Sequence, residues 1–424
     1  MSDAIAASAA RAGYRWVVLA LAWAAFAITF IDRLAWGNLQ LGVGRSLGLA
    51  IGQLGLFVSA FYAGYVVSNL AAGFLADRFG PRRMLAASAL LLGAATVAFA
   101  QTRGLASGTA WQALMGLAAG ADYAGCVALL AAWFPPRTRG LAIGLWYTGS
   151  SLAVVLTNVL VPPLAGMAGW QGAYRVLGLL TIAIGVACWA ALRDRPQDAP
   201  ARRRPPPAAA LLRQPNMILV GLAGFGALWG TWGFAFWSNA LMVRGHGIAP
   251  GAAAGIVALF GLGAIIAKPV IGFISDRLGG ARRGPALVCL LAFALMLLLF
   301  GRLESAAAFR LAAPFLGITA FGYSPLMTAL VAELAGTARA GTASGATNAF
   351  WQIGNMAVPA VVGLVFARTL SFGWAFATLA AGPLFAVLCL LAVRPGAGAP
   401  SCDAARARPA GGPGARGGRS SGPS

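Results

Sequence analysis

The chain has 424 residues, of which 59% are hydrophobic and only 10% are charged, and its mean hydropathy is +0.78. A soluble chain is nearer about one quarter charged, so composition excludes a water-facing globular protein, a collagen-like repeat and a disulfide scaffold, and leaves a polytopic membrane protein. The 31 Lys and Arg against 10 Asp and Glu give a net charge of +21, which fits either a nucleic-acid partner or the basic cytoplasmic loops of a membrane protein.

A membrane helix needs about 20 mostly apolar residues. The first segment that meets this runs roughly from 14 to 38, and the basic residues flanking it and its length argue for a spanning helix rather than a cleavable leader. It carries Asp32 and Arg33 toward its predicted outer end. A charge at mid-membrane costs about 2.5–3.5 kcal/mol even on lenient scales, so it is expected to face a cavity. Neighbouring residues point about 100° apart on a helix, so the two need not share one partner. A carboxylate in a low-dielectric cavity can carry a proton, and the planar fork of Arg suits a carboxylate or phosphate. The alternative is a structural Asp–Arg pair at the helix end.

The second span, roughly 52–76, places Tyr62, Tyr65 and Asn69 on one face. It runs into the loop GFLADRFGPRR at 73–83. Spans three and four follow at roughly 84–102 and 108–133. Asp122 sits near the middle of the fourth, with no Arg or Lys close in sequence, as either a proton carrier or an Asp hydrogen-bonded to a neighbouring helix. Spans five and six are read at about 140–164 and 172–192, and Tyr147, Ser150 and Ser151 share a face of the fifth.

The stretch 193–215 is Pro-rich, basic and unfit to span, and divides six spans from six. The second set is read at roughly 216–241, 250–275, 284–301, 308–332, 340–367 and 372–393. Span seven is crowded with Trp229, Trp232, Phe236 and Trp237. Span eight holds Lys268, the only Lys of the chain, which can serve an anion or pair with a carboxylate. Span eleven carries Asn348, Gln352 and Asn355 on one face. The Gly, Pro, Ser and Arg tail over 395–424 is expected to be disordered.

An even span number puts both termini on one side. With that side cytoplasmic, 22 basic residues fall in cytoplasmic segments and 7 in outer ones, while Arg33 and Lys268 lie inside spans. This bias fixes the expected orientation and removes the reason to invoke nucleic acid. Arg outnumbers Lys by 30 to 1, the mark of a GC-rich, bacterial genome. The expected location is therefore the bacterial cytoplasmic (inner) membrane, multi-pass, with both termini cytoplasmic. The five Cys are widely separated and read as small apolar side chains, with no metal spacing and no cofactor motif.

The two sets of spans repeat. GFLADRFGPRR at 73–83 returns as GFISDRLGGARR at 272–283, Arg139 has its counterpart in Arg339, and Asn38 matches Asn239, at offsets of 199, 200 and 201. Parallel repeats place a binding site between the halves. The expected architecture is all-α: a six-helix bundle over 1–192, a linker over 193–215, and a second six-helix bundle over 216–394. The loop pair matches the signature loop of the major facilitator superfamily, and the chain resembles that family over all twelve spans. The resemblance implies a cytoplasmic conformational latch formed by Gly73, Asp77, Arg78, Gly80 and Arg82 and by Gly272, Asp276, Arg277 and Gly279.

Within the superfamily the chain looks most like the anion:cation symporters. Asp32-Arg33, Tyr65, the run Trp133-Phe134-Pro135-Pro136-Arg137 with Arg139, Gly144 and Gly149, and Gly345-x-x-Asn348 with Gly354, Pro359 and Gly363 carry that likeness. It implies that Asp32 titrates, that Arg33 serves the anion and that Asn348 contacts substrate. Many members carry an Arg and a Glu in span four where this chain has Gln112 and Ala119, which tells against a sugar-acid substrate and leaves Asp122 as the acid of that span. Ala-Lys-Pro-x-x-Gly272 is similar to the basic span-eight site of monocarboxylate carriers. The expected function is proton-coupled uptake of a small organic anion, a carboxylate, by a monomer in the lipid bilayer. Arg33, Tyr65, Lys268, Asn348 and Gln352 are the expected substrate ligands, and Asp32 or Asp122 the proton carrier. The runner-up is a proton-driven drug or metabolite efflux antiporter, although span five ends Val161-Pro162-Pro163-Leu164-Ala165-Gly166 without the G-P-x-x-G-G pattern of such exporters. A receptor, an intramembrane enzyme and a pore fit less well: a lone His246 and no nucleophile or metal constellation argue against an enzyme.

Overall fold

A computed structural model describes residues 2–134, 136–194, 214–278, 281–335 and 340–394. Within those helices the side chains at 2–12, 70, 72–77, 136, 137, 139–141, 272, 276, 340–342 and 344–346 are outside the description. The linker residues 195–213, Gly279 and the tail 395–424 lie outside the described residues.

Among the described residues all regular structure is helical. The helices are α1 (Ser2–Leu47), α2 (Ile51–Phe79), α3 (Pro81–Phe99), α4 (Leu105–Ala119), α5 (Asp122–Trp133), α6 (Pro136–Ala191), α7 (Pro215–His246), α8 (Pro250–Arg277), α9 (Arg283–Phe300), α10 (Ala306–Ala335), α11 (Ala340–Thr369) and α12 (Phe372–Ala392). Eleven helical stretches among the described residues are long and apolar enough to cross a membrane. One of them, Ala142–Ala191, spans 50 residues. At 1.5 Å per residue it is roughly 75 Å long, more than twice a hydrocarbon core of about 30 Å, so it holds two crossings. The break is at Gly169, whose φ of 67° only glycine adopts without strain. The twelve expected crossings are therefore present, with α4 and α5 together forming the fourth and α6 the fifth and sixth.

Two expectations change in position. The first span reaches Leu47, nine residues beyond its expected end at 38. Its apolar stretch runs from Gly13 to Leu47, which puts Asp32 and Arg33 close to its middle rather than toward the outer side. The fourth span bends at Gly120 and Ala121, and Asp122 opens the helix that follows.

The duplication is visible as geometry. The Arg82 Nη2 donates to the Trp189 carbonyl at 2.6 Å, and 201 positions on the Arg283 guanidinium donates to the Leu390 and Leu391 carbonyls at 2.8 and 2.7 Å. Each half thus ties the start of its third span to the end of its sixth. In the first half Asp194 completes the tie by accepting the backbone N–H of Arg82 at 2.9 Å, at the electropositive start of α3. Gly80 makes the turn there with φ of 82°, and its α-carbon faces the Asp194 carboxylate. Sequence reading of the latch missed Asp194, because the residue lies more than a hundred positions away, at the start of the linker. Arg78 and Arg277 are exposed. The side chains of Gly73, Asp77, Gly272 and Asp276 lie outside the described residues, as does Gly279 entirely.

Candidate functional site: a cationic cavity between the halves

A cavity of about 130 Å³ lies where the first six crossings meet the last six. From the first half α1 supplies Phe26, Phe30 and Arg33, α2 supplies Tyr62 and Tyr65, and α6 supplies Tyr147 and Ser150. From the second half α7 supplies Trp232, α8 Lys268, α10 Phe321 and Tyr323, and α11 Asn348, Gln352 and Asn355. All five residues expected to bind substrate therefore share one wall system. Ten of its twenty lining residues are aromatic, so its surface is largely flat and apolar with a few fixed polar points.

Arg33 is 6% exposed. Its Cζ lies 4.0 Å from the centre of the Phe30 ring and 4.9 Å from that of Tyr65, and its Nε donates to the Thr29 carbonyl of its own helix at 3.4 Å. Each aromatic face contributes about 0.5–2 kcal/mol toward holding a cation in a dry site. Lys268 is held differently. Its Nζ donates to the Ser151 hydroxyl at 2.8 Å and to that of Ser150 at 3.3 Å, and lies 5.3 Å from the Phe321 ring centre. Both serines belong to the first half, so this contact crosses the interface. Among the described residues neither cation pairs with a carboxylate; of the two readings of Lys268, anion site or carboxylate pair, the second finds no partner, and two hydroxyls hold the ammonium.

The two acids stand behind the wall. Asp32 is 1% exposed and accepts the Thr181 hydroxyl at 2.7 Å from α6, while its neighbour Arg33 turns into the cavity. Asp122 is 2% exposed and accepts the Cys126 thiol at 3.2 Å, while its neighbour Tyr123 lines the cavity and shares a 2.8 Å hydroxyl contact with Tyr147. Each acid is thus one residue removed from a lining side chain. Among the described residues no cluster of His, Cys, Asp and Glu could hold a metal ion.

On α11, Asn355 Nδ2 donates to Gln352 Oε1 at 2.5 Å, and the buried Asn355 Oδ1 is left without a partner beside the cavity. Tyr123 and Tyr323 were not singled out by sequence reading. They are 200 positions apart and occupy matching places in the two halves; Tyr323 shares a 2.9 Å contact with Thr231. The repeat offset was the signal that could have found them.

At the far ends of α1 and α7 the halves are joined. Asn239 Nδ2 donates to Asn38 Oδ1 and to Asn158 Oδ1, each at 3.0 Å, and Asn38 Nδ2 donates to Asn158 Oδ1 at 3.2 Å. Gln40 Nε2 adds a 2.6 Å bond to the Phe236 carbonyl. The repeat mates Asn38 and Asn239 thus bond to each other across the interface.

The model of the Major Facilitator Superfamily matches residues 21–359. The chain belongs to this superfamily. It is a transport protein and not an enzyme. The facilitator chain is 25% identical over 390 residues to the protein named probable sulfoacetate transporter SauU of Cupriavidus necator, covering 85% of this chain and 90% of the relative. It is 28% identical over 318 residues to the gallate transporter of Pseudomonas putida, covering 67% of this chain and 70% of the relative. Among solved structures, the bacterial homologue of the human lysosomal transporter Spinster, in an inward-facing and occupied conformation, superposes with a TM-score of 0.74 at 16% identity, covering 89% of this chain and 96% of that one. The facilitator fold is therefore common to both, with twelve crossings in two pseudo-symmetric sets of six.

Proposed function

We propose that this facilitator takes up a small organic carboxylate together with protons, by alternating access, across a bacterial cytoplasmic membrane. The observation that carries the reading is the pair of cations, Arg33 and Lys268, on one wall system without a lining acid. Burying two like charges without a counter-ion is costly, and an anion offsets that cost. The aromatic lining adds that the anion carries a flat, apolar body. Relatives that transport sulfoacetate and gallate are in keeping with an anionic cargo.

Arg33 takes the carboxylate bidentately, and Lys268 adds a second charge while bridging to the serines of the opposite half. Tyr65, Asn348 and Gln352 orient the body of the substrate. Asp32 or Asp122 carries the proton. Protonation removes a buried charge one residue behind the cation or tyrosine that faces the cargo, and so lowers the cost of moving the loaded site. The bundles 1–192 and 216–394 rock about the cavity, joined by 193–215, and the basic loops at 73–83 and 272–283 latch one state. The 22 to 7 distribution of basic residues supports cytoplasmic termini.

Uptake by reconstituted protein in vesicles tests this. Labelled gallate, sulfoacetate and benzoate are offered with and without an inwardly acid-driven proton gradient. Accumulation of at least one carboxylate that rises with outside acidity is expected. Carboxylate flux indifferent to the gradient would remove the coupling, and no flux of any carboxylate would remove the cargo class.

A further inference from the structure

Beyond the asparagine cluster lies a second recess between the halves, of about 1050 Å³. Asn38 and Asn239 line it, so the cluster is its floor. Arg45 of α1 and Arg244 of α7 line it as well, and among the described residues no Asp or Glu does. The two arginines also border a smaller adjoining pocket of about 210 Å³, so they stand around one place. They are 199 positions apart, the spacing of the duplicated loops, and each sits in the last turn of its helix. Each stands two residues before the end of the first helix of its half, and the two are brought from opposite halves to one mouth.

An ordinary reason for each exists. A cation in a last turn gains about 0.3–1 kcal/mol from the helix dipole, and Arg45 Nε does donate back to the Leu41 carbonyl at 3.4 Å. That accounts for a basic residue at each helix end. It does not account for both turning into the space between the halves, on the side where only 7 basic residues are expected against 22 on the other.

We propose that Arg45 and Arg244 form an anion-capture site in this outer recess, which receives a carboxylate before the central cavity does. The inference rests on the carboxylate reading of the cargo. Two cations without a lining acid raise the local concentration of an anion and speed its arrival. The floor continues the path. While the cluster is closed, the amide N–H groups of Asn239 are spent on Asn38 and Asn158, and that of Asn38 on Asn158. When the halves part, the same N–H groups face the captured carboxylate, on the way to Arg33 and Lys268.

The test uses full-length protein in detergent, with Cys126, Cys188, Cys289, Cys389 and Cys402 replaced by Ser and one reporter added on the recess wall, Ala165→Cys or, on the opposite wall, Val243→Cys. Each reporter is labelled with two thiol reagents of similar size, the anionic 2-sulfonatoethyl and the cationic 2-trimethylammonioethyl methanethiosulfonate. The ratio of anionic to cationic rates is expected to exceed that of a free thiol in solution. It is expected to fall about fivefold or more with Arg45→Gln plus Arg244→Gln, and to fall likewise at high salt. A ratio unmoved by the double substitution at both reporters would overturn the site. Arg45→Gln plus Arg244→Gln is then measured for uptake of whichever carboxylate the wild type carries, where a raised KM with unchanged kcat is expected. If no carboxylate is carried, the cargo reading fails, and the labelling ratios still judge the recess by themselves.

Discussion

The two halves of this duplicated fold bury their cations in different ways. Arg33 is held inside its own half, against the rings of Phe30 and Tyr65 and its own helix backbone. Lys268 reaches out of its half, to Ser150 and Ser151 of the other. The acids are as uneven: Asp32 and Asp122 are both in the first half, and their repeat positions, Thr231–Gly233 and Gly322, carry no charge. In the proposed function the first half brings anion binding and proton carriage together, while the second grips across the interface. A symmetric frame thus carries an asymmetric charge plan.

The largest expected effect removes the self-contained cation. Arg33→Ala is expected to lower carboxylate uptake about 100-fold, in line with roughly 3 kcal/mol for a charge-assisted contact in a dry site. Arg33→Lys is expected to recover only part of it, since an ammonium lacks the planar fork. If Arg33→Ala left uptake and ligand-induced thermal stabilisation intact, the first half would not be the anion-binding half.

Neutralising the acids comes next. A gradient of 100 mV is worth about 2.3 kcal/mol per proton, or a roughly 50-fold accumulation. Asn at Asp32 or Asp122, whichever carries the proton, is expected to abolish that accumulation and its rise with outside acidity, while exchange of labelled for unlabelled carboxylate continues. Coupling kept in both single variants and in the pair would place proton carriage outside the first half.

The interface cation is expected to matter less. Lys268→Ala should weaken carboxylate binding about tenfold, and Ser151→Ala about threefold, as a neutral hydrogen bond lost from a buried charge. Equal losses for Lys268→Ala and Arg33→Ala, by calorimetric titration, would erase the contrast between the halves. The smallest effect belongs to the symmetric part. Asn239→Ala removes bonds worth about 0.6–1.7 kcal/mol within a membrane. It should raise the labelling rate of a cysteine placed at Ala240 by roughly three- to tenfold, as the mouth opens more often.

The contrast between the halves was only partly legible in the chain. That Arg33 and Lys268 are buried in spans, and that Asn348, Gln352 and Asn355 share a helix face, follows from hydropathy and the 3.6-residue period alone. The same period sets Asp32 and Arg33 about 100° apart but leaves open which of them faces the cavity. Packing of α1 against α6 settles it, because the Thr181 hydroxyl is there to donate to the Asp32 carboxylate. The serine partners of Lys268, more than a hundred positions away, leave no local trace.

By itself the sequence determined the membrane setting, the number of crossings, the sidedness of the charge and the duplication, because each depends on composition or spacing along the chain. The tertiary structure decided what meets across the interface: that the repeat mates Asn38 and Asn239 bond to each other, that Tyr123 and Tyr323 line one cavity, and that Asp194 closes the turn at Gly80. The physical reason is that hydropathy fixes only whether a helix enters the bilayer. The rotation of each helix about its axis is chosen by how twelve crossings pack together, and it is that rotation which turns a buried charge toward a cavity or away from it.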